Sequence, residues 1–306
     1  LQSTVKNSVT FIGVGLHSGQ PARMVICPAA PDHGIVFQRL DLAGGPALLP
    51  ARFDAVTQSP LCTLLRNSDG ASVSTIEHIM AALVGCGVHN ALVQLDGPEV
   101  PIMDGSAVQF VRKILQTGLQ AHPAPLRAIK VLQRVEVRRG DALARLDPAE
   151  TLEIDFSIDF DDAAIGVQRK VLNMANGSFV RELCDSRTFC RKADVDTMRA
   201  NGLALGGTLE NAVVVDGDAV LSPGGLRHAD EAVRHKMLDA LGDLALAGAP
   251  LLARYTGHRA GHALTNDLLR ALFDTPDAWC HVSCDSAMAG RLPGAGVHLG
   301  ELSAVA

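Results

Sequence analysis

The chain contains no C-x-x-C pair, and its seven cysteines, Cys27, Cys62, Cys86, Cys184, Cys190, Cys280 and Cys284, are odd in number. This argues against a zinc-finger or disulfide framework and fits free thiols in a reducing cytosol. The one close pairing, "CHVSC" at 280–284, reads as ordinary strand residues. Basic charge is not in excess. A formal net charge of -6 over 306 residues argues against a general nucleic-acid binder. No basic segment followed by an apolar one opens "LQSTVKNSVTF", so no secretory signal is expected, and a start at Leu1 rather than Met suggests a trimmed or processed terminus. The longest apolar run, "LALAGAPLLA" at 244–253, is shorter than the roughly 20 residues a bilayer requires and is broken by Gly and Pro. Low-complexity tracts and long runs of like charge are missing too. The expectation is a soluble cytoplasmic protein of one large domain or two ordinary ones.

Strand and helix patterns alternate without a βαβ cadence. "SVTFIGVGLHSGQPARMVICPA" reads as a hairpin with a Gly-rich turn, and "GIVFQRLDL" as a third strand. A helix "STIEHIMAALVGCG", a strand "NALVQLDG", a loop "PEVPIMDGSA" and a helix "AVQFVRKILQTG" follow. The Pro-containing stretch at 120–127 is the expected linker, dividing the chain into domains 1–122 and 127–306. Beyond it, strands are expected around "KVLQRVEVRRG", "ALARLDP" and "TLEIDFSIDF", and helices at "GSFVRELC", "RHKMLDALGDL" and "TNDLLRALF".

The chemistry begins with "RHKMLDALGDL". At helical spacing His235, Asp239 and Asp243 stack on one face, with Met237, Leu238, Leu241 and Leu244 opposite. A polar stripe usually meets only water, but such stripes are commonly written with long Lys, Glu and Arg. His and Asp are short, weak helix formers that hold donor atoms near the backbone. A His and an Asp at i and i+4 can share one zinc ion, provided a third ligand comes from elsewhere. The candidate is His78 in "STIEHIMAALVG". There the plain reading is a capping box from Ser74 to Glu77 and a satisfied, partly buried histidine. The functional reading is a three-ligand site with one open position and Glu77 beside it as general base. His258 and His262 are also four apart, but Gly257 and Gly261 argue against a continuous helix between them. His262, just ahead of the last helix, is better placed as a catalytic acid or a ligand-binding group.

Together "GVGLHSG", "STIEHIMAAL", "PEVPIMDGSA", "SRTFC", "LGGTLENAVVVD", "RHKMLDALGDL" and "GHRAGHALTND" resemble, in order and approximate spacing, the UDP-3-O-acyl-N-acetylglucosamine deacetylases, zinc amidases of the committed step of lipid A biosynthesis. The resemblance runs from about Val9 to the C-terminus. It implies an α+β fold of two similar domains, each a small sheet layered against helices, with the active site between them. It also implies one Zn2+ on His78, His235 and Asp239, with Glu77 as general base. His262 would stabilise the oxyanion and protonate the leaving amine, oriented by Asp243, and Thr188 would hydrogen-bond the scissile carbonyl or its oxyanion. Lys236 would meet the substrate diphosphate, Phe160 would sit near the uridine, and Phe189 would also contact substrate. One local departure is Cys190, where the pattern has glycine after "RTF", beside the expected acyl passage. The implied partner is a UDP-linked acylated amino sugar, with at most transient contact with the inner membrane surface and no obligate protein partner. Two alternatives stand beside this reading: a zinc amidase for a different N-acylated sugar, and a non-enzymatic nucleotide- or RNA-binding module, which would need a basic face.

Overall fold

A computed structural model describes residues 1–59 and 61–302. Two sheets organise it, and among the described residues no strand pairing crosses between 1–122 and 127–302. The first sheet has five strands in the order Val9–Val14, Pro21–Pro28, Ala91–Leu95, Ile35–Arg39 and Ala47–Pro50. All its pairs are antiparallel except 35–39 with 91–95. The second sheet is centred on Leu251–His258, which pairs antiparallel with Ala142–Pro148 on one side. On the other side it pairs in parallel with Glu153–Asp159 and, through its first two residues, with Arg127–Val131. The architecture is the expected α+β class, and we propose the division at 122–127 on the absence of cross-pairing.

The seven α-helices among the described residues are α1 (Glu77–Gly85), α2 (Val108–Thr117), α3 (Ser178–Glu182), α4 (Lys192–Ala200), α5 (Glu231–Leu244), α6 (His262–Asp274) and α7 (Ser286–Ala289). Helix α1 is buried along nearly its whole length, polar Glu77 and His78 included, because "EHIMAALVG" is apolar on every side beyond its first turn. Helix α5 packs against it, and the approach is close enough to demand a glycine. A Cβ on Gly242 would lie 2.0 Å from the Glu77 carbonyl oxygen. That contact joins the two halves and sets one polar row against another.

Several expectations are corrected. The capping box does not form: Ile76 stands at the helix N-cap without a side-chain bond, Ser74 ends the strand Ser72–Ser74, and Glu77 Oε2 accepts from Thr63 N at 3.0 Å. Part of the expected linker is a strand, Leu119–Ala121, paired with Ser3–Val5. The strands Val167–Asn173 and Leu251–His258 and helix α4 were not foreseen. His262 opens α6 rather than preceding it.

Candidate active site

The stripe on α5 is not solvated. His235, Asp239 and Asp243 are 2%, 5% and 3% exposed, so each buried polar group requires a partner. His235 Nδ1 lies 3.0 Å from the Ser186 carbonyl, which directs Nε2 the other way. Ser186 is held there by its neighbour: the backbone amide and Nε of Arg187 both donate to Glu231 Oε1 at 2.9 Å, at the start of α5. Burial alone would raise the pKa of Glu231, but Arg187 and the Arg227 amide hold it below the ordinary value. Removing one partner of such a buried pair costs about 3–5 kcal/mol.

His78 reaches the same place from α1. Its Nε2 is 3.5 Å from Asp239 Oδ1, and His235 Nε2 is 3.2 Å from that oxygen. The two imidazoles meet edge to face with centroids 4.9 Å apart. Asp239 Oδ1 is nevertheless buried without a hydrogen-bond partner among the described residues. An orphaned carboxylate oxygen facing two imidazole nitrogens is what a bound cation would satisfy. Ligand atoms arranged tetrahedrally at 2.0–2.2 Å from zinc lie about 3.3–3.6 Å apart, close to the two separations seen. The three donor atoms all fall within 4.8 Å of one another. Nitrogen, nitrogen and oxygen form a donor set that zinc accepts.

The third member of the stripe has a different role. Asp243 Oδ2 is 2.8 Å from His262 Nδ1, and its Oδ1 accepts from Thr63 Oγ1 at 2.5 Å, so this carboxylate is already engaged on both oxygens. His262 Nε2 is then directed toward Glu77 Oε1, 3.8 Å away. Burial lowers the pKa of His262, but the carboxylates of Asp243 and Glu77 outweigh it and raise the value to about 9. For Glu77 burial dominates and raises its pKa, against the opposing pull of His262 and His78. An imidazolium donor and a basic carboxylate thus face each other beside the candidate metal position.

Of the remaining expected residues, Lys236, Phe189 and Phe160 are linked to the same point by contacts. Lys236 Nζ donates to Asp239 Oδ2 at 2.9 Å; burial lowers its pKa, yet Asp239 keeps it above the ordinary lysine value. Phe189 and His235 meet edge to face at 6.3 Å, and Phe160 meets Phe189 in the same way at 5.5 Å. Thr188 lies between the strand Phe189–Arg191 and the Arg187 anchor, its amide bonded to the Gly105 carbonyl and its hydroxyl making no hydrogen bond among the described residues. Cys190 lies within that strand, half-buried, and all seven cysteines are free. His258 belongs to the central strand and pairs with Ser157 Oγ at 2.9 Å, so it is not part of the site. Thr63 was missed by sequence reasoning: its amide holds Glu77 and its hydroxyl holds Asp243. No local pattern in "LCTLL" marks it, because its partner lies 180 residues away.

Comparison with known proteins identifies the family. A family model described as LpxC, UDP-3-O-acyl N-acetylglycosamine deacetylase, matches residues 2–274. The chain is 51% identical over 278 residues to the UDP-3-O-acyl-N-acetylglucosamine deacetylase of Phenylobacterium zucineum (strain HLK1), covering 91% of this chain and 95% of that one. It is 43% identical over 305 residues to the enzyme of that name from Shewanella frigidimarina (strain NCIMB 400), covering 97% and 99% of the two chains. With matches of this extent, the chain belongs to the UDP-3-O-acyl N-acetylglycosamine deacetylase family.

Proposed function

We propose that the chain hydrolyses the N-acetyl group of UDP-3-O-(3-hydroxyacyl)-N-acetylglucosamine to acetate and UDP-3-O-acyl-glucosamine, the committed step of lipid A biosynthesis, using one zinc ion on His78, His235 and Asp239. The observation that carries this is the orphaned Asp239 Oδ1 between two imidazole nitrogens, next to the row Glu77, His262 and Asp243. Zinc in that position would supply Lewis acidity toward the amide carbonyl and make water easier to deprotonate. Glu77, held by the Thr63 amide and made more basic by burial, takes the proton of the attacking water as its oxygen bonds to the carbonyl carbon. The Thr188 hydroxyl donates to the oxyanion that develops, and the His262 imidazolium adds its charge. His262 then gives its proton to the nitrogen as the C–N bond breaks and the bonding pair leaves with the amine.

Around this centre we assign Phe160 and Phe189 to the substrate wall. Lys236 orients Asp239 with one of its three N–H donors, which leaves the others for a diphosphate. The acyl chain is assigned to the second half, beside the short strands around Cys190. Among the described residues no helix is long and apolar enough to cross a membrane. We propose at most transient contact with the inner membrane surface. The free thiols fit a reducing compartment, and we place the reaction in the cytoplasm.

The test is acetate release from UDP-3-O-acyl-N-acetylglucosamine by the purified chain, with and without a chelator and with zinc restored. Activity that is lost to the chelator and regained with zinc is expected. Chelator-resistant turnover would remove the metal from the reading, and equal turnover of substrates lacking the UDP or the acyl chain would favour an amidase for another N-acylated sugar.

A further inference from the structure

Helix α1 must begin in one place and orientation for Glu77 and His78 to face α5, yet the residue that launches it is in an unfavourable conformation. Thr75 has φ 58°, a left-handed conformation that is a genuine outlier for a β-branched side chain. Such a residue persists only where its surroundings over-determine it. Here they do. Thr75 Oγ1 donates at 3.0 Å to Oε1 of Glu99, a carboxylate only 3% exposed. The same carboxylate accepts the backbone amides of His17 and Ser18, each at 2.8 Å. On either side of Thr75 the chain is pinned, Val100 N donating to the Ser74 carbonyl and Ile76 N to the Thr63 carbonyl.

The turn that supplies the two amides is built around this carboxylate. A Cβ on Gly15 would lie 2.2 Å from Glu99 Oε2, so the glycine of "GVGLHSG" makes room for the acid of "PEVPIMDGSA". The turn is also attached to the second half: Leu205 N donates to the His17 carbonyl at 3.2 Å and Gly206 N to the Leu16 carbonyl at 3.0 Å. Glu99 therefore joins three segments, and two residues beyond Thr75 stands the proposed general base.

We propose that Glu99 is a positioning residue for the reaction: by clasping Thr75 to the turn at 15–19 it holds the strained start of α1, and so sets Glu77 and His78 against α5. Glu99 touches neither substrate nor metal in this scheme and acts only through Thr75. The inference rests on the reading of His78 as a metal ligand. Its action is on geometry, so kcat and metal affinity should fall while KM stays nearly constant.

The experiment compares Glu99→Gln, Thr75→Val, the double variant and His78→Ala, measuring zinc affinity by chelator competition, kcat and KM, and thermal unfolding. Gln leaves one acceptor oxygen where three donors converge, and Val keeps the branched Cβ but removes the hydroxyl. Each single variant should lose at least tenfold in zinc affinity and in kcat at temperatures well below its unfolding transition. The double variant should be little worse than either single one, because both break the same clasp. Thr75→Val keeps the test open if Glu99→Gln does not fold. The proposal fails if the variants unfold earlier while zinc affinity and kcat in the folded protein are unchanged, or if the two losses simply add. If His78→Ala retains tight zinc, the site assignment fails and the proposal with it. If His78→Ala loses zinc while both clasp variants keep it, only the clasp fails.

Discussion

Replacing Asp243 by Asn should move the alkaline edge of activity toward neutral pH. Asp243 Oδ2 is 2.8 Å from His262 Nδ1, and the two side chains are 4% and 13% exposed, so solvent screens their interaction little. The His262 pKa rises from 6.5 to about 9. That shift corresponds to about 3 kcal/mol of preference for the imidazolium. Part of it comes from Glu77, whose Oε1 is 3.8 Å from Nε2 and which the variant retains. Losing the nearer carboxylate should therefore lower the value by about 1–2 units. A divalent cation beside Glu77 would pull parent and variant down together. Because His262 must be protonated to serve the leaving nitrogen, kcat/KM should fall off at correspondingly lower pH in Asp243→Asn. The basic limb should vanish in His262→Ala, with metal content normal. Stability carries the same sign. A group whose folded-state pKa is raised contributes fully below the unfolded value of 6.5 and loses that contribution as pH rises through about 9. A basic limb that stays in place in Asp243→Asn, or persists in His262→Ala, would refute the assignment of the proton donor.

Three further outcomes are expected. His78→Ala, His235→Ala and Asp239→Ala should each lose tightly bound zinc, because a three-ligand site cannot spare one; metal analysis of the purified variants checks this, and a full equivalent retained by His235→Ala would contradict it. Glu77→Gln keeps an acceptor for the Thr63 amide and should retain zinc, while kcat falls by roughly 10²- to 10⁴-fold; near-normal turnover would reduce Glu77 to a structural role. Gly242→Ala should drive α5 away from the Glu77 carbonyl, lowering stability by about 1–3 kcal/mol in denaturant titration and weakening zinc binding; an unperturbed Tm would show that the two helices can separate freely.

What could be read in the sequence, and what could not, follows the range of the forces involved. Helix α5 was legible because one face is apolar and the other polar at the helical period, a pattern internal to "RHKMLDALGDL". The α+β class and the hairpin 9–28 were legible for similar reasons. The central strand Leu251–His258 was not: its first three residues, all buried, only complete the apolar run 244–253 after Gly248 and Pro250, and the alternation of buried and half-buried residues begins at Ala253. Helix α4 has no buried residue and therefore no core-facing stripe to betray it. A capping box from Ser74 to Glu77 was the plain alternative because their spacing fits one, whereas Ser74 belongs to a strand and Thr75 takes a positive φ that no propensity would suggest.

The division of labour within the α5 stripe was the hardest point, and it shows where local pattern stops. Asp239 and Asp243 are the same residue type, one turn apart, on the same helix and nearly equally buried. Spacing favours Asp239 as the ligand, four residues from His235 where Asp243 is eight, but says nothing of what Asp243 does; that role came from resemblance. The structure gives it a physical cause. Asp243 meets Thr63 and His262, which engage both of its oxygens. Asp239 gives one oxygen to Lys236 and turns the other toward His78 and His235 without a hydrogen bond. Each carboxylate takes its role from partners that arrive from elsewhere in the chain, with His78 and Thr63 coming from the first half. The close crossing at Gly242 brings those two partners to α5, so the helix packing, more than the stripe itself, separates a ligand from an orienting acid.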